Sequence, residues 1–346
     1  MSEPLAIETV EMHTGGEPVR IVTAGYPAVE GATILDKRRY AAEHLDRLRH
    51  LLIFEPRGHH DMYGVIPVEP DDPQADLAVL FMHNEGYSTM CGHAVIALGR
   101  WAVDSGIVAP AGDPPDNRIT VRIQCPCGLV TARVAVREDR SGGTRTGEVA
   151  FESVPAFALA LDREVEVAGY GTVRLDIGYG GAFYAVLPAG SFGLDVLGSA
   201  TRDLVDAAAA VTQAVKAQLP IAHPDDPDLG FLYGTILTDG GDGAGHNRPS
   251  ANICVFADNQ VDRSPTGSGV TARIALMRAR GMIAEGDAAY FESVTRTIFR
   301  GRALADCDVA GHDAVTVEVT GHAHYTGTAR FTVEPDDLLA GGFLLK

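Results

Sequence analysis

The sequence predicts an α+β protein made of two similar halves, each a set of short strands around one buried helix. Three features carry that expectation. Strand-like runs outnumber helix-like ones and do not alternate with them one for one, which disfavours a doubly wound sheet. A long stretch repeats at an offset of 175 residues, the separation of Cys91 from Thr266. And the segment Ala94–Val103 is apolar almost all round, broken only by Arg100, as a buried helix should be.

Strands are expected at "LAIETVEMH", "ADLAVLFMH", "ITVRIQCPCGLVTARVAV", "GEVAFESVP", "GTVRLDIGYG", "ANICVFA" and "AVTVEVTG". Turn-rich stretches separate them, among them "APAGDPPDN", "REDRSGGTRTG" and "DGGDGAGHNRPS". Helices are expected over Arg38–Arg49, Ala94–Asp104, Ala200–Gln218 and Val270–Arg280. In the repeat, "VLFMHNEGYSTMCGHAVIALGRWAVDSGI" lies without a gap over "CVFADNQVDRSPTGSGVTARIALMRARGM". Phe81 meets Phe256, Asn84 meets Asn259, Gly92 meets Gly267 and Gly106 meets Gly281, with strand, loop, helix and closing glycine in order. At 346 residues the chain exceeds what one core usually supports. Two domains are therefore expected: 1–168 carrying Cys91, completed by 330–346, and 169–329 carrying Thr266. The halves are expected to face each other across a pseudo-twofold axis.

A formal net charge of -18 argues against nucleic acid and anionic membrane as partners. No apolar run approaches the roughly 18 residues of a membrane span, and the acidic N-terminus lacks the apolar region of a signal peptide. Five cysteines, at 91, 125, 127, 254 and 307, are too few and odd in number for a disulfide scaffold, so a reducing cytoplasm is the expected location.

The chemistry concentrates at the repeat. Cys91-Gly92 and Thr266-Gly267 both stand at helix starts, where the first backbone N–H groups lack internal acceptors and make an anion site. Two such starts could hold one carboxylate through the amides of Gly92, His93, Gly267 and Ser268, the glycines permitting close approach. A cysteine there has its thiolate favoured and can act as a base. A carboxylate held by N–H donors also stabilises charge spreading from Cα as the α-proton leaves. This describes α-proton abstraction from a small amino or imino acid with no cofactor. The pyridoxal route needs a lysine, and Lys37, Lys216 and Lys346, the only lysines, lie near neither motif.

"MCGH" and "DRSP-x-G-x-G", with "HTGGEP", "EPRGHHDMYG" and "GYGGAFYA", resemble the proline racemase family over nearly the whole chain. The resemblance implies a diaminopimelate epimerase-like fold, two pseudo-symmetric halves each a barrel-like sheet around a central helix, and a homodimer. It also implies that Asp262 and His93 bind the ring nitrogen of the substrate. The family's racemases and epimerases carry Cys at both helix starts; this chain matches at Cys91 and departs at Thr266. The Cys/Thr pairing is similar to that of the family's dehydratases of trans-3-hydroxy-L-proline. The chemistry agrees: racemisation needs a thiol on each face of Cα, and a threonine hydroxyl is too weak an acid or base to replace one. Elimination needs one base. A residual epimerase or racemase activity on 4-hydroxyproline or proline is the alternative.

Structural readings compete at several positions. Cys254 in "ANICVFA" reads as core, and "CPCG" as strand or turn rather than a metal site. His59, His60 and Asp61, and His322 with His324, lack metal-ligand spacing. His13 and Glu17 could approach the pocket or shape their turn, and Asp262 could be the turn residue of "DRSP". Gly267, Gly269 and Ala272 satisfy G-x-G-x-x-A with Glu285 beyond, the mark of an NAD-dependent oxidoreductase, but "DNQVDRSP" separates them from the strand. A binding protein that has lost catalysis is a third reading, opposed by Cys91, His93 and Asp262.

Overall fold

The computed structural model describes residues 5–109, 115–138 and 144–345. The middles of the two turn-rich stretches expected at "APAGDPPDN" and "REDRSGGTRTG", 110–114 and 139–143, lie outside the described residues. The chain divides into two compact units, one of Met1–Thr89, His93–Val149 and His322–Lys346, the other of Met90–Gly92 and Ala150–Gly321.

In the first unit the order is β1 (Ala6–Thr14), β2 (Glu17–Ala24), α1 (Ile34–His44), α2 (Asp46–Ile53), β3 (Gly64–Val68), β4 (Leu77–Met82) and β5 (Tyr87–Ser88). Next come α3 (Gly92–Asp104), β6 (Arg118–Cys125), β7 (Gly128–Glu138) and β8 (Thr144–Glu152), along which the chain passes into the second unit. The single helix expected over Arg38–Arg49 is two. Thr33 and Asp36 form a reciprocal capping box, Asp36 N–H to Thr33 Oγ1 at 3.1 Å and Thr33 N–H to Asp36 Oδ2 at 3.0 Å, which starts α1 earlier. Leu45 then leaves helical geometry at φ -118, and Asp46 opens α2, its carboxylate taking the Arg49 guanidinium at 2.6 and 2.9 Å. "CPCG" is a hairpin: Cys125 pairs with Gly128, leaving Pro126–Cys127 as the two-residue turn. Burial pushes the Cys127 thiol up to about 12, so it is neutral at physiological pH.

The second unit holds β9 (Ala156–Val167), β10 (Gly171–Tyr179), β11 (Phe183–Pro188), α4 (Thr201–Gln218), β12 (Leu232–Thr238), β13 (Ser250–Phe256) and β14 (Gln260–Asp262). It continues with α5 (Gly267–Ala279), β15 (Ala288–Glu292), β16 (Ile298–Val309) and β17 (His312–Gly321); β18 (Ala323–Thr332) then returns to the first unit and pairs with β1.

The two units repeat one pairing scheme. β1–β2 is antiparallel, β2–β3 parallel, β3–β4 and β4–β5 antiparallel, β4–β6 parallel and β6–β7 antiparallel. β10 to β16 follow the same sequence of pairings, and β9 lies antiparallel to β10 as β18 does to β1. The bounds of α5 are those of α3 displaced by the repeat offset. The sequence reading places the domain change at 168/169, whereas the contact division falls at Val149/Ala150, because β9 pairs with β10 and β17.

The second unit's sheet closes on itself, β17 meeting β9 through Ala314–Phe157 and Val315–Ala156. α5 is buried from Gly267 to Leu276 and packs against β9, β10, β11, β16 and β17. Val270, Ile274 and Leu276 each contribute roughly 1.5–3 kcal/mol by burial. The turn after β10 approaches α5 so closely that a Cβ on Gly180 would stand 2.2 Å from the Ser268 carbonyl oxygen. In α3, Ala94 to Leu98 are fully buried. Arg100, the one charge within Ala94–Val103, donates to the Ala323 carbonyl at 2.6 Å and lies over the Tyr325 ring at 4.9 Å. Among the described residues no helix is long and apolar enough to cross a membrane.

Candidate active site

The second unit assembles Cys91, Gly92, Asp262, Thr266, Gly267 and Ser268. After β14 a chain of short bonds turns the backbone into α5. Asp262 Oδ1 accepts the Ser264 N–H at 2.7 Å, Ser264 Oγ accepts the Thr266 N–H at 3.1 Å, and the Thr266 carbonyl accepts the Val270 N–H at 2.7 Å. Thr266 is thereby held at φ 65, ψ 92. For a β-branched residue this is an outlier costing about 1–3 kcal/mol. Its side chain does not cap the helix, and its Oγ1 is buried with no hydrogen-bond partner among the described residues. An orphaned buried hydroxyl adds about 1–3 kcal/mol of its own.

A buried polar relay holds this turn. Asn252 Nδ2 donates to the Pro265 carbonyl at 3.3 Å, and Asn252 Oδ1 accepts from Arg273 on α5 at 3.1 Å. Arg273 also donates to Ser250 Oγ at 2.5 Å, and Ser250 donates on to Asp239 Oδ1 at 2.8 Å. Ser268 is fixed by the Tyr184 hydroxyl at 2.7 Å, and Thr271 Oγ1 donates to the Gly267 carbonyl at 3.0 Å. Burial drives the Tyr184 phenol well above its ordinary range, so it is neutral. The relay escapes sequence reading. Its one signal is Arg273, a charge inside the apolar run "VTARIAL".

Gly92 and Gly267 touch backbone to backbone. A Cβ on Gly92 would lie 2.5 Å from Gly267 Cα and 2.9 Å from the Ser268 nitrogen. On Gly267 it would lie 2.6 Å from Gly92 Cα and 3.2 Å from the Phe151 ring. The first amides of α5, those of Gly267 and Ser268, have no acceptor inside the helix and receive none from a capping side chain. Cys91, 4% exposed, directly precedes Gly92. Buried N–H donors, a buried thiol and a buried hydroxyl are thus gathered where a small anion could be held. Gly267, read in the G-x-G-x-x-A pattern as a dinucleotide turn, is instead spent on this backbone contact, and β14 is only three residues long.

His93 belongs to the first unit. Its carbonyl accepts the Thr14 hydroxyl at 2.8 Å, and its ring stands edge-on to Tyr63 at 4.9 Å. His13 Nδ1 accepts the Gly16 N–H at 3.2 Å, so it does shape the "HTGGEP" turn, and Glu17 is fully buried beside it. His60 and Asp61 pair with each other at 3.1 Å, while Asn84 holds their loop through the Asp61 N–H at 2.8 Å and the His59 carbonyl at 3.2 Å. His322 and His324 lie on either side of Ala323, with the His324 ring 5.3 Å from that of His13. Among the described residues no three His, Cys, Asp or Glu side chains gather as a metal site. Cys254 is fully buried in β13, as core.

Residues 9–344 match the family described as proline racemase. The human protein named trans-3-hydroxy-L-proline dehydratase is 58% identical over 341 residues, spanning 98% of this chain and 95% of its own. Among solved structures, a hydroxyproline epimerase from Agrobacterium vitis with bound trans-4-hydroxy-L-proline superposes with a TM-score of 0.89 at 26% identity, over 100% of this chain and 97% of its own. A probable proline racemase from Agrobacterium radiobacter K84 with bound carbonate gives the same TM-score and identity over 98% and 96%. The fold expected from the strand pattern and the repeat is that of these proteins, and the chain belongs to the proline racemase family.

Proposed function

We propose that the chain dehydrates trans-3-hydroxy-L-proline to Δ1-pyrroline-2-carboxylate. The observation that carries this is the asymmetry of the repeat: a buried thiol at Cys91, and at the equivalent position a buried threonine hydroxyl without a partner. The 58% identity to the human protein named trans-3-hydroxy-L-proline dehydratase supports the same reading.

In this mechanism the amides of Gly92, Gly267 and Ser268 hold the substrate carboxylate, and Asp262 takes the ring nitrogen. His93, directly after Gly92 in the chain, joins them on the family resemblance. The Cys91 thiolate removes the α-proton. The C–H electron pair forms the C2–C3 double bond as the C3–O bond breaks. In the trans isomer the hydroxyl and the α-hydrogen share a ring face, so the Cys91 thiol returns the proton to the departing hydroxide and water leaves. The enamine then tautomerises to the Δ1-imine. Thr266 offers its hydroxyl to the bound substrate and takes no proton. Homodimer assembly, from the family resemblance, and a reducing cytoplasm, from the five cysteines, belong to the same proposal.

The solved relatives favour a second reading, 4-hydroxyproline epimerisation or proline racemisation, which would need another group in place of a second thiol. One experiment separates the two. The protein is mixed with trans-3-hydroxy-L-proline in heavy water and followed by proton NMR. Substrate loss with growth of Δ1-pyrroline-2-carboxylate is expected, and Cys91→Ser should abolish it. An intact substrate, with 4-hydroxyproline or proline epimerised in parallel tubes, overturns the dehydratase.

A further inference from the structure

The second unit contains a cavity of about 530 Å³ that includes none of Cys91, Asp262, Thr266 or Ser268 in its lining. Its walls are largely apolar, with Leu175, Val186, Leu187, Leu276, Met277 and Met282 among them. Its lining includes Arg273, 6% exposed. Two of the five guanidinium N–H groups are bonded, both to neutral side chains, Asn252 and Ser250. Among the described residues no carboxylate lies within ion-pair distance of it; Asp239 is reached only through the Ser250 hydroxyl. Burial pulls Arg273 down to about 10, which still leaves it cationic at neutral pH. The cavity's other charges offset one another or are paired. Arg280 bonds both Asp162, at 3.1 Å, and Asp176, at 2.6 Å, and Arg174 pairs with Glu164 at 3.1 Å. That leaves Arg273 as the one charged lining residue without a carboxylate at ion-pair distance among the described residues.

A buried cation without a carboxylate, in the lining of a largely apolar cavity large enough for a small molecule, fits a ligand site, which is mostly apolar with a few placed polar groups. We propose that this cavity is a second binding site, for a small organic carboxylate with an apolar body, whose carboxylate bonds the remaining N–H groups of Arg273. The ligand is amphipathic because the cavity is: one charged point, flanked by leucine, valine and methionine. Arg273 also holds Asn252, and Asn252 holds the Pro265 carbonyl before Thr266, so the cavity and the active-site turn share one residue.

The probe is benzoate, with benzamide as its neutral counterpart, titrated into protein labelled with ¹³C at the methionine methyls. Met277 and Met282 line the cavity, while Met90, beside Cys91, reports on the active site. Benzoate should shift the Met277 and Met282 signals in a saturable way and benzamide should not. Arg273→Met should weaken the benzoate effect by about tenfold or more, the loss of a charged hydrogen-bond donor. In case that variant fails to fold, Met277→Glu places a competing carboxylate in the half-buried lining and should abolish the Met282 shift. Shifts confined to Met90, shifts produced equally by benzamide, or benzoate shifts that survive both substitutions would each overturn the proposal.

Discussion

Gly267→Ala should separate activity from stability in this protein. A methyl group at 267 would stand 2.6 Å from Gly92 Cα and 3.0 Å from the Gly92 carbonyl carbon. Carbon atoms rest at about 3.5–4.0 Å, so the two backbone segments must part by roughly 1 Å. Neither neighbour is the flexible end of a side chain, so backbone has to move. Alanine is a better helix former than glycine by about 1 kcal/mol, which offsets part of an overpacking cost of about 1–3 kcal/mol. Net destabilisation should stay below about 2 kcal/mol. For the proposed catalysis no offset exists: the amides of Gly92 and Gly267 move relative to one another, and a misplacement of about 1 Å costs on the order of 100-fold. The assay is kcat/KM for trans-3-hydroxy-L-proline alongside thermal unfolding, with Gly86→Ala, where an added Cβ meets nothing within 4 Å, as control. A Gly267→Ala enzyme that keeps kcat/KM within about threefold of the parent would refute the reasoning.

Three other outcomes are expected. Asn252→Ala strips the Pro265 carbonyl and Arg273 of their shared partner, so it should cost about 1–3 kcal/mol of stability and lower kcat more than it raises KM; a change in KM alone would count against a positioning role. Thr266→Gly removes a positive-φ strain and an orphaned hydroxyl at the expense of glycine's extra chain entropy, about 0.5–1 kcal/mol, so the melting temperature should rise while turnover falls. Burial holds the His223 ring, 4.7 Å from Tyr179, below its ordinary 6.5. The unfolded chain therefore binds the proton more tightly, and the stability His223 contributes above pH 6.5 is lost as pH falls below it through the folded value. His223→Gln should flatten the fall in melting temperature between about pH 7.5 and 5, and an unchanged slope would remove this account.

The large-scale plan is legible because duplication doubles each signal. α3 alone is an apolar helix of no stated purpose; α5 at the same offset, with the same closing glycine, turns both into one repeated element. The candidate site residues stand out in the sequence because helix starts are marked by glycines and by a Cys/Thr exchange between otherwise matching stretches. What escapes is of two kinds. Short strands such as β5 and β14 are fixed by their neighbours' ladders and carry too few residues to show a period of their own. The split of α1 from α2 escapes because Leu45 sits in an unbroken helical pattern, and only its backbone, at φ -118, ends the helix. The support of the site is hidden for a different reason: Asp239, Ser250, Asn252 and Arg273 come from two elements and a loop, and no spacing in the sequence brings them together.

Thr266 is the residue where the levels disagree, and the disagreement is informative. Glycine or asparagine would occupy φ 65 at less cost, and alanine would leave no buried hydroxyl. Local backbone and local packing both disfavour threonine, by amounts that together equal a substantial part of a domain's net stability. Yet the turn is not loosely built: Ser264, Asn252 and, through Asn252, Arg273 hold its backbone in place. A structure that fixes a strained residue so firmly, with its hydroxyl buried and unanswered by the protein, is complete only when something else answers it. In the proposed dehydration that partner is the substrate. The second half of the duplicated site then keeps the shape of a catalytic position while giving up its acid–base chemistry.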